Sequence, residues 1–157
     1  MKIAIIGRTE ILYETVKFLL KNEHDIPLII TSKEAPEYTK TVKDFEELAH
    51  EINAKYLHTS KLSLKENIEF IKECGYIDIA VSLNFSSIIS QEVIDLFPLG
   101  ILNAHGGDLP KYRGNACQAW AIINGEDKIG LCIHSMIGGE LDSGNIIERE
   151  YLNINSN

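Results

Sequence analysis

Paired cysteines are absent from this 157-residue sequence, which contains only Cys74, Cys117 and Cys132 and no Cys-x-x-Cys spacing. Such an odd and scattered set is typical of thiols that stay free in a reducing compartment. It argues against a disulfide scaffold, and a chain of this length can bury enough apolar surface to fold without one. We therefore expect a cytoplasmic protein, and the spacing of His, Cys and Asp predicts no metal site.

Long apolar runs are also absent. No stretch approaches the roughly 20 apolar residues that a membrane-spanning helix requires. The apolar N-terminal stretch is ended by Arg8, Thr9 and Glu10, which makes it too short for a signal peptide. The sequence therefore predicts no membrane segment, and we interpret Lys2–Gly7 as a first strand.

Positive charge is in the minority, since 15 Lys and Arg stand against 23 Asp and Glu, for a net charge of −8. Nucleic-acid binding depends on Lys and Arg side chains that neutralise phosphates. We therefore expect no nucleic acid as the main partner, although local basic spots remain open. Apolar residues form 45% and charged residues 24% of the chain, which is ordinary for one soluble domain.

Several well-known motifs are missing as well. A dinucleotide fingerprint needs Gly-x-Gly-x-x-Gly after the first strand, and the first turn provides only Gly7. Glu10 would place a negative charge where a pyrophosphate should meet a helix N-terminus. The turn is therefore interpreted as structural, and neither the Gly-x-Ser-x-Gly nor the His-Glu-x-x-His motif is present.

What the sequence does contain is a regular alternation of apolar strand patterns and amphipathic helix patterns. Strands are predicted at Lys2–Gly7, Ile26–Thr31, Lys55–His58, Ile77–Leu83, Ile101–His105, Lys128–Met136 and Ile146–Ile154. Helices are predicted at Ile11–Lys21, Val42–Ile52, from Ser63 to just before Gly75, Ser90–Phe97 and Ala116–Asn124. The expected fold class is α/β, an open doubly wound sheet that is mostly parallel. The short connection between the last two strands predicts an antiparallel C-terminal strand pair.

The most informative stretch leaves the carboxyl end of the fifth predicted strand and reads NAHGGDLPKYRGN. In open α/β sheets, ligands bind outside the carboxyl ends of the strands. Asn103 and His105 are two residues apart and so share a face, which places an amide donor beside a proton carrier. Asp142 lies in a later glycine-rich loop, from which its carboxylate could orient His105. From the spacing alone, a structural histidine and a turn aspartate are the more common interpretations.

These residues resemble the folate-dependent formyltransferase superfamily, and most of the chain is similar to the Rossmann-like N-terminal catalytic domain of that superfamily. The resemblance rests on Asn103 and His105, on the Leu-Pro-x-x-x-Gly loop that ends at Gly114, and on Asp142 with Gly144. The order of strands and helices matches over most of the chain. The residues after His105 read Gly-Gly-Asp-Leu-Pro, which is similar to sugar-nucleotide N-formyltransferases.

The resemblance implies an enzyme that transfers a formyl group from N10-formyltetrahydrofolate, its co-substrate, to an acceptor amine through a tetrahedral intermediate. It implies that Asn103 stabilises the oxyanion, that His105 moves protons and that Asp142 holds His105. The positions that correspond to the folate site are Ser82, Leu83, Asn84, Phe85, Ile137, Gly138, Gly139, Glu140 and Leu141. The expected contacts with the acceptor are Asp108, Lys111, Tyr112 and Arg113.

The acceptor expected from this resemblance is an amino sugar nucleotide. Methionyl-tRNA and glycinamide ribonucleotide are the alternatives, as are formyltetrahydrofolate hydrolysis and a catalytically impaired ligand-binding domain. We expect one catalytic domain over residues 1–157. Relatives continue further, so a truncated chain that lacks an acceptor-binding extension and an unusually short member both remain open. The oligomeric state is not predicted.

Overall fold

Strands and helices alternate along residues 1–154, the part of the chain that the computed structural model describes. The strands are β1 (Lys2–Gly7), β2 (Asp25–Thr31), β3 (Lys55–His58), β4 (Ile79–Leu83), β5 (Ile101–His105), β6 (Lys128–Ser135) and β7 (Ile146–Asn153). The helices are α1 (Glu10–Lys21), α2 (Val42–Glu51), α3 (Lys65–Glu73), α4 (Gln91–Ile94) and α5 (Cys117–Ile123). Each element overlaps the one that the sequence pattern predicts.

The strands form one sheet in the order β3-β2-β1-β4-β5-β6-β7. Strands β1 to β5 pair in parallel, whereas β6 runs antiparallel to both β5 and β7. This confirms the doubly wound, mostly parallel sheet and its antiparallel C-terminal pair. The break in order between β1 and β4 places the carboxyl ends of β1, β4 and β5 side by side, which is where such sheets bind ligands.

The central strands are apolar runs because both of their faces are covered. On one face, alternate residues such as Ile5 of β1 and Ile29 of β2 pack in a cluster with Leu12 and Val16 of α1. On the other face, a second cluster joins the same strands to α3 and α4, with Phe97 as its largest buried side chain. The two cores hold the middle of the sheet rigid beneath the strand ends.

Helix α3 begins later than the sequence pattern predicts. Ser63 is expected to begin this helix, with Glu66 three residues later as in a capping box, but α3 begins at Lys65 and its N-cap residue, Leu64, makes no side-chain cap. The hydroxyl of Ser63 instead donates to Ser90 Oγ at 3.0 Å, in the segment that leads into α4. The capping box that does form lies at α2, where Thr41 and Asp44 bond each other's backbone N–H groups.

The turn after β1 has a structural role, as its sequence indicates. A side chain at Gly7 would overlap the carbonyl oxygen of Leu83, so only glycine lets β1 and β4 approach here. Arg8 closes the turn, because its guanidinium donates to the carbonyl of Asn84 at 2.8 Å and to that of Lys33 at 2.6 Å. These bonds link the turn to the segment that follows β4.

Strand β6 buries the less apolar of its two faces. Gly130, Cys132 and His134 are buried, whereas Ile129 and Ile133 on the other face are only half-buried. Its register with β5 sets His134 opposite Asn103 and Cys132 opposite His105. Paired residues point to the same face of a sheet, so β6 delivers His134 to the face that carries Asn103 and His105. Within residues 1–154, no helix is long and apolar enough to cross a bilayer.

Candidate active site

A cleft of about 490 Å³ opens at the carboxyl ends of β1, β4 and β5. Its lining comes from five segments, namely the turn after β1 with the start of α1, residues 83–88, residues 103–106, residues 114–118, and β6 with its following loop. All three predicted catalytic residues, Asn103, His105 and Asp142, are on its wall. The fold therefore brings the carboxylate of Asp142 to the amide of Asn103 and the imidazole of His105, which are far from it in the sequence.

His105 and Asp142 lie close together beneath the surface of the cleft. His105 Nδ1 is 3.5 Å from Asp142 Oδ2, and each side chain is only 9% exposed. The other ring nitrogen, Nε2, is 2.7 Å from the carbonyl oxygen of Tyr112. Because a carbonyl oxygen can only accept, Nε2 carries the hydrogen in this contact. This leaves Nδ1, which faces Asp142, as the nitrogen that can gain or lose a proton.

Asp142 is held in place from several sides. The backbone of Asp142 has a positive φ of 48°, a left-handed conformation that aspartate tolerates better than most residues. Gly114 donates its backbone N–H to Asp142 Oδ2 at 2.9 Å. Burial disfavours the charge, but the adjacent His134 imidazole, the Gly114 N–H and the field of His105 outweigh it and lower the pKa of Asp142. The carboxylate is therefore charged at neutral pH.

His134 is a site residue that the sequence analysis missed. It is 1% exposed, and its Nε2 lies 3.2 Å from Asn103 Nδ2 and 3.4 Å from Asp142 Oδ1. Its Nδ1 donates to the carbonyl of Ser135 at 2.8 Å, which leaves Nε2 free to accept from the Asn103 amide. His134 thus links Asn103 to Asp142. The available signal was a histidine on the small-residue face of β6, beside Gly130 and Cys132.

Cys117 closes the floor behind His105, with Sγ 3.4 Å from His105 Nε2. Its thiol also lies 3.2 Å from the carbonyl oxygen of Gly114 and 3.4 Å from that of Tyr112. Because a carbonyl oxygen can only accept, the thiol is the donor in both contacts. Burial raises the pKa of the Cys117 thiol, and the charge of Asp142 raises it further. A thiol held protonated in this way is a packing and donor group, not a nucleophile.

The four residues expected to contact the acceptor lie on the loop after β5, outside the lining of the cleft. Asp108 is 3.3 Å from Arg149 and accepts from Tyr151, so it is engaged with β7. Lys111 and Tyr112 both bond the Glu126 carboxylate. Arg113 is exposed and has no hydrogen-bond or ion-pair partner within residues 1–154. Three of the four side chains brace the loop, and their contact with an acceptor stays a prediction.

The residues expected at the folate site divide into two groups. Those that line the cleft are Leu83, Asn84, Phe85, Glu140 and Leu141, and they are joined there by Met136 and Ile88. Those that do not line it are Ser82, Ile137, Gly138 and Gly139. Gly138 instead packs on the backbone of Gln91 and donates its N–H to the Gln91 side chain at 2.9 Å, which fixes the loop that carries Asp142.

No group of three or more His, Cys, Asp or Glu side chains within the described part of the chain is arranged to hold a metal ion. The polar centre of the cleft is instead the network of Asn103, His105, His134 and Asp142. It offers an amide N–H donor and a histidine whose Nδ1 faces a fixed carboxylate. This combination suits proton transfer beside a developing oxyanion.

Comparison with known proteins places this network in a family. The Formyl transferase family model matches residues 1–157. The chain is 32% identical to a methionyl-tRNA formyltransferase of Ruminiclostridium cellulolyticum, over 99% of this chain and 50% of that protein. It spans about half the length of the curated relatives it matches.

Solved structures give the same picture of the fold. A phosphoribosylglycinamide formyltransferase from Bacillus halodurans matches with a TM-score of 0.79 and 20% identity, over 99% of this chain and 81% of that one. WlaRD, a sugar 3N-formyl transferase solved with dTDP and 5-N-formyl-THF, matches with a TM-score of 0.70 and 26% identity, over 98% of this chain and 52% of that one. The family match over the full sequence, on the fold that carries the Asn103, His105 and Asp142 cleft, makes this chain a member of the formyl transferase family.

Proposed function

We propose that residues 1–157 form one catalytic domain that transfers a formyl group from N10-formyltetrahydrofolate to an amine. The observation that carries the proposal is the convergence of Asn103, His105 and Asp142 on one cleft, with His105 Nδ1 3.5 Å from Asp142 Oδ2, in a chain of this family. Its three free cysteines support a reducing, cytoplasmic location.

Each of the three side chains has a distinct task in this proposal. Asn103 donates its amide N–H to the oxygen of the formyl group as negative charge develops there. His105 takes up a proton from the attacking amine at Nδ1, since its Nε2 hydrogen is committed to Tyr112. It then returns this proton to N10 of the folate as the bond between the formyl carbon and N10 breaks, which releases tetrahydrofolate. Asp142 stabilises the charge that His105 then carries, and it is already ionised because its pKa is lowered.

The folate donor, which supplies the formyl carbon, fits the apolar part of the cleft. Leu83, Phe85, Met136 and Leu141 offer apolar walls for a flat ring. Backbone groups of residues 83–88 and of the loop before Asp142 border the same space and can bond the polar edge of such a ring. The presence of 5-N-formyl-THF in the structure of WlaRD supports a folate in this chain as well.

We propose methionyl-tRNA as the acceptor, in place of the amino sugar nucleotide expected from the sequence. The curated relatives at 30–32% identity are named methionyl-tRNA formyltransferases. The expectation that no nucleic acid is a partner is therefore not supported, despite the net charge of −8. Arg113, exposed beside the cleft and without a partner in residues 1–154, is a cation that a phosphate could reach.

An amino sugar nucleotide remains the second candidate acceptor. It is favoured by the 26% identity to WlaRD, which extends over 98% of this chain. Glycinamide ribonucleotide and formyltetrahydrofolate hydrolysis have less support, because the structures named for those activities are at most 20% identical and so share only the fold.

The test is formyl transfer by the purified chain from N10-formyltetrahydrofolate to three acceptors, namely methionyl-tRNA, an amino sugar nucleotide and glycinamide ribonucleotide. A reaction without acceptor measures hydrolysis, and His105→Ala serves as the matched inactive control. We expect formylated methionyl-tRNA with the highest kcat/KM. A higher kcat/KM for the sugar nucleotide would make the sugar nucleotide the acceptor in place of methionyl-tRNA, and the proposal of formyl transfer would stand. Product at equal rates in wild type and His105→Ala, or in neither, would overturn the proposal.

A further inference from the structure

Gln118 carries a carboxamide at the cleft that the proposed reaction does not use. It is exposed near the start of α5 and lines the cleft together with Asn115. Its side chain has no hydrogen-bond partner within residues 1–154. A carboxamide can both donate and accept hydrogen bonds, so a free one at a cleft wall can bind a polar ligand of either kind.

The position of Gln118 depends on the glycine next to His105. A Cβ atom on Gly106 would overlap Gln118 Nε2 and come within 3.2 Å of its Cδ and 3.8 Å of its Oε1. Gly106 does not have a positive φ, so its backbone does not itself require glycine. The absence of a side chain at Gly106 therefore makes room for the Gln118 carboxamide beside His105.

We propose that Gln118 is a recognition residue for the acceptor and that Gly106 is the residue that admits it to the site. This proposal rests on the proposed function. It assigns the segment Gly114–Gln118 to the side of the cleft that binds the acceptor, whose amine must reach His105. The donor side is built from residues 83–88 together with Met136, Glu140 and Leu141, and these include the apolar walls. The acceptor group that Gln118 fits is neutral and polar, such as an ester carbonyl or a hydroxyl next to the reacting amine.

The test is a double-mutant cycle with Gln118→Ala, Gly106→Ala and the combined variant. We expect Gln118→Ala to raise the KM for methionyl-tRNA roughly 3- to 10-fold, the size of one neutral hydrogen bond. The affinity for 5-formyltetrahydrofolate, measured by titration, should change less than 2-fold. Gly106→Ala should reproduce the KM effect by displacing the carboxamide, and the combined variant should be no worse than Gln118→Ala. Asn153→Ala, which removes an exposed carboxamide of β7 outside the cleft, is the matched control.

Equilibrium binding of methionyl-tRNA and of an amino sugar nucleotide is measured on the same variants by calorimetry. This decides the inference separately from catalysis, because a wild-type chain that fails to transfer formyl contradicts only the proposed function. Weaker acceptor binding by Gln118→Ala, with folate binding intact, supports the recognition role. Unchanged KM and acceptor affinity, an equal loss of folate affinity, additive effects of the two substitutions, or no acceptor binding by wild type would each overturn it.

Discussion

Replacing His134 tests whether the buried link between Asn103 and Asp142 matters for the reaction. His134→Leu removes the partner of Asn103 Nδ2 at 3.2 Å, of Asp142 Oδ1 at 3.4 Å and of the Ser135 carbonyl at 2.8 Å. An unsatisfied buried polar group costs about 1–3 kcal/mol, but Asn103 and Asp142 can regain contacts with water in the cleft. We therefore expect a loss of about 2 kcal/mol in the free energy of unfolding. For a chain of this length that is a fall in Tm of roughly 4–8 °C.

The effect of His134→Leu on catalysis should exceed its effect on folding. An amide misplaced by about 1 Å can cost on the order of 10²-fold in rate, and we expect a loss of kcat of that size with little change in KM for folate. His134→Gln is the control, because its terminal amide can restore one contact to Asn103 or Asp142 and should recover part of kcat. The measurements are thermal unfolding and single-turnover formyl transfer. Wild-type kcat in His134→Leu at a lowered Tm would show that His134 only packs the core, and would refute the reasoning.

Three further outcomes follow from the same cleft. His105→Ala should lower kcat by roughly 10²–10⁴-fold with an unchanged far-ultraviolet circular dichroism spectrum, and normal turnover would remove it from the mechanism. Folding lowers the pKa of Asp142, so its charged carboxylate stabilises the fold at any pH above the unfolded pKa of about 3.9. This stabilisation is lost as the pH falls through the pKa that Asp142 has in the folded chain. Urea unfolding from pH 7 to pH 3 should therefore show a higher free energy of unfolding for wild type than for Asp142→Asn, and this difference should shrink below about pH 4. A difference that stays constant with pH would contradict the prediction. Arg149→Met should lower Tm by releasing Asp108 and the Leu109 carbonyl. It should also speed proteolysis after Lys111, whereas an unchanged cleavage rate would mean that Arg149 does not brace the loop.

The elements of the fold were predictable because their signals are local. Continuous apolar runs predicted the buried parallel strands, and the short link after β6 predicted the antiparallel pair. The errors lie where tertiary contacts compete with local rules. Ser63 has the spacing of a capping residue, yet its hydroxyl bonds Ser90 and the helix starts later, at Lys65.

The candidate site was predictable where its residues lie at a strand end or on a motif, as Asn103, His105 and Asp142 do. His134 was not found, because its role depends on the pairing of β5 with β6, and its neighbours in sequence suggested an ordinary isoleucine-rich strand. Asp108 and Lys111 carry suitable chemistry for an acceptor, but Arg149 and Glu126, far along the chain, hold them to other surfaces. The chemical type of a residue does not show whether a distant residue of the same chain already occupies its side chain.

The antiparallel pairing of β5 with β6 makes the reaction depend on strand alignment. Asn103 faces His134 only in the observed register, in which Ala104 faces Ile133. Because side chains alternate between faces, a slip of one residue would turn His134 away from the cleft and set Ile133 or Ser135 opposite Asn103. A residue inserted within β6 should therefore abolish activity while the order of the strands is unchanged. A residue inserted in the exposed turn at Gly125 should leave the register between β5 and β6 intact. Evolution of this chain can vary the length of its turns far more freely than that of β6.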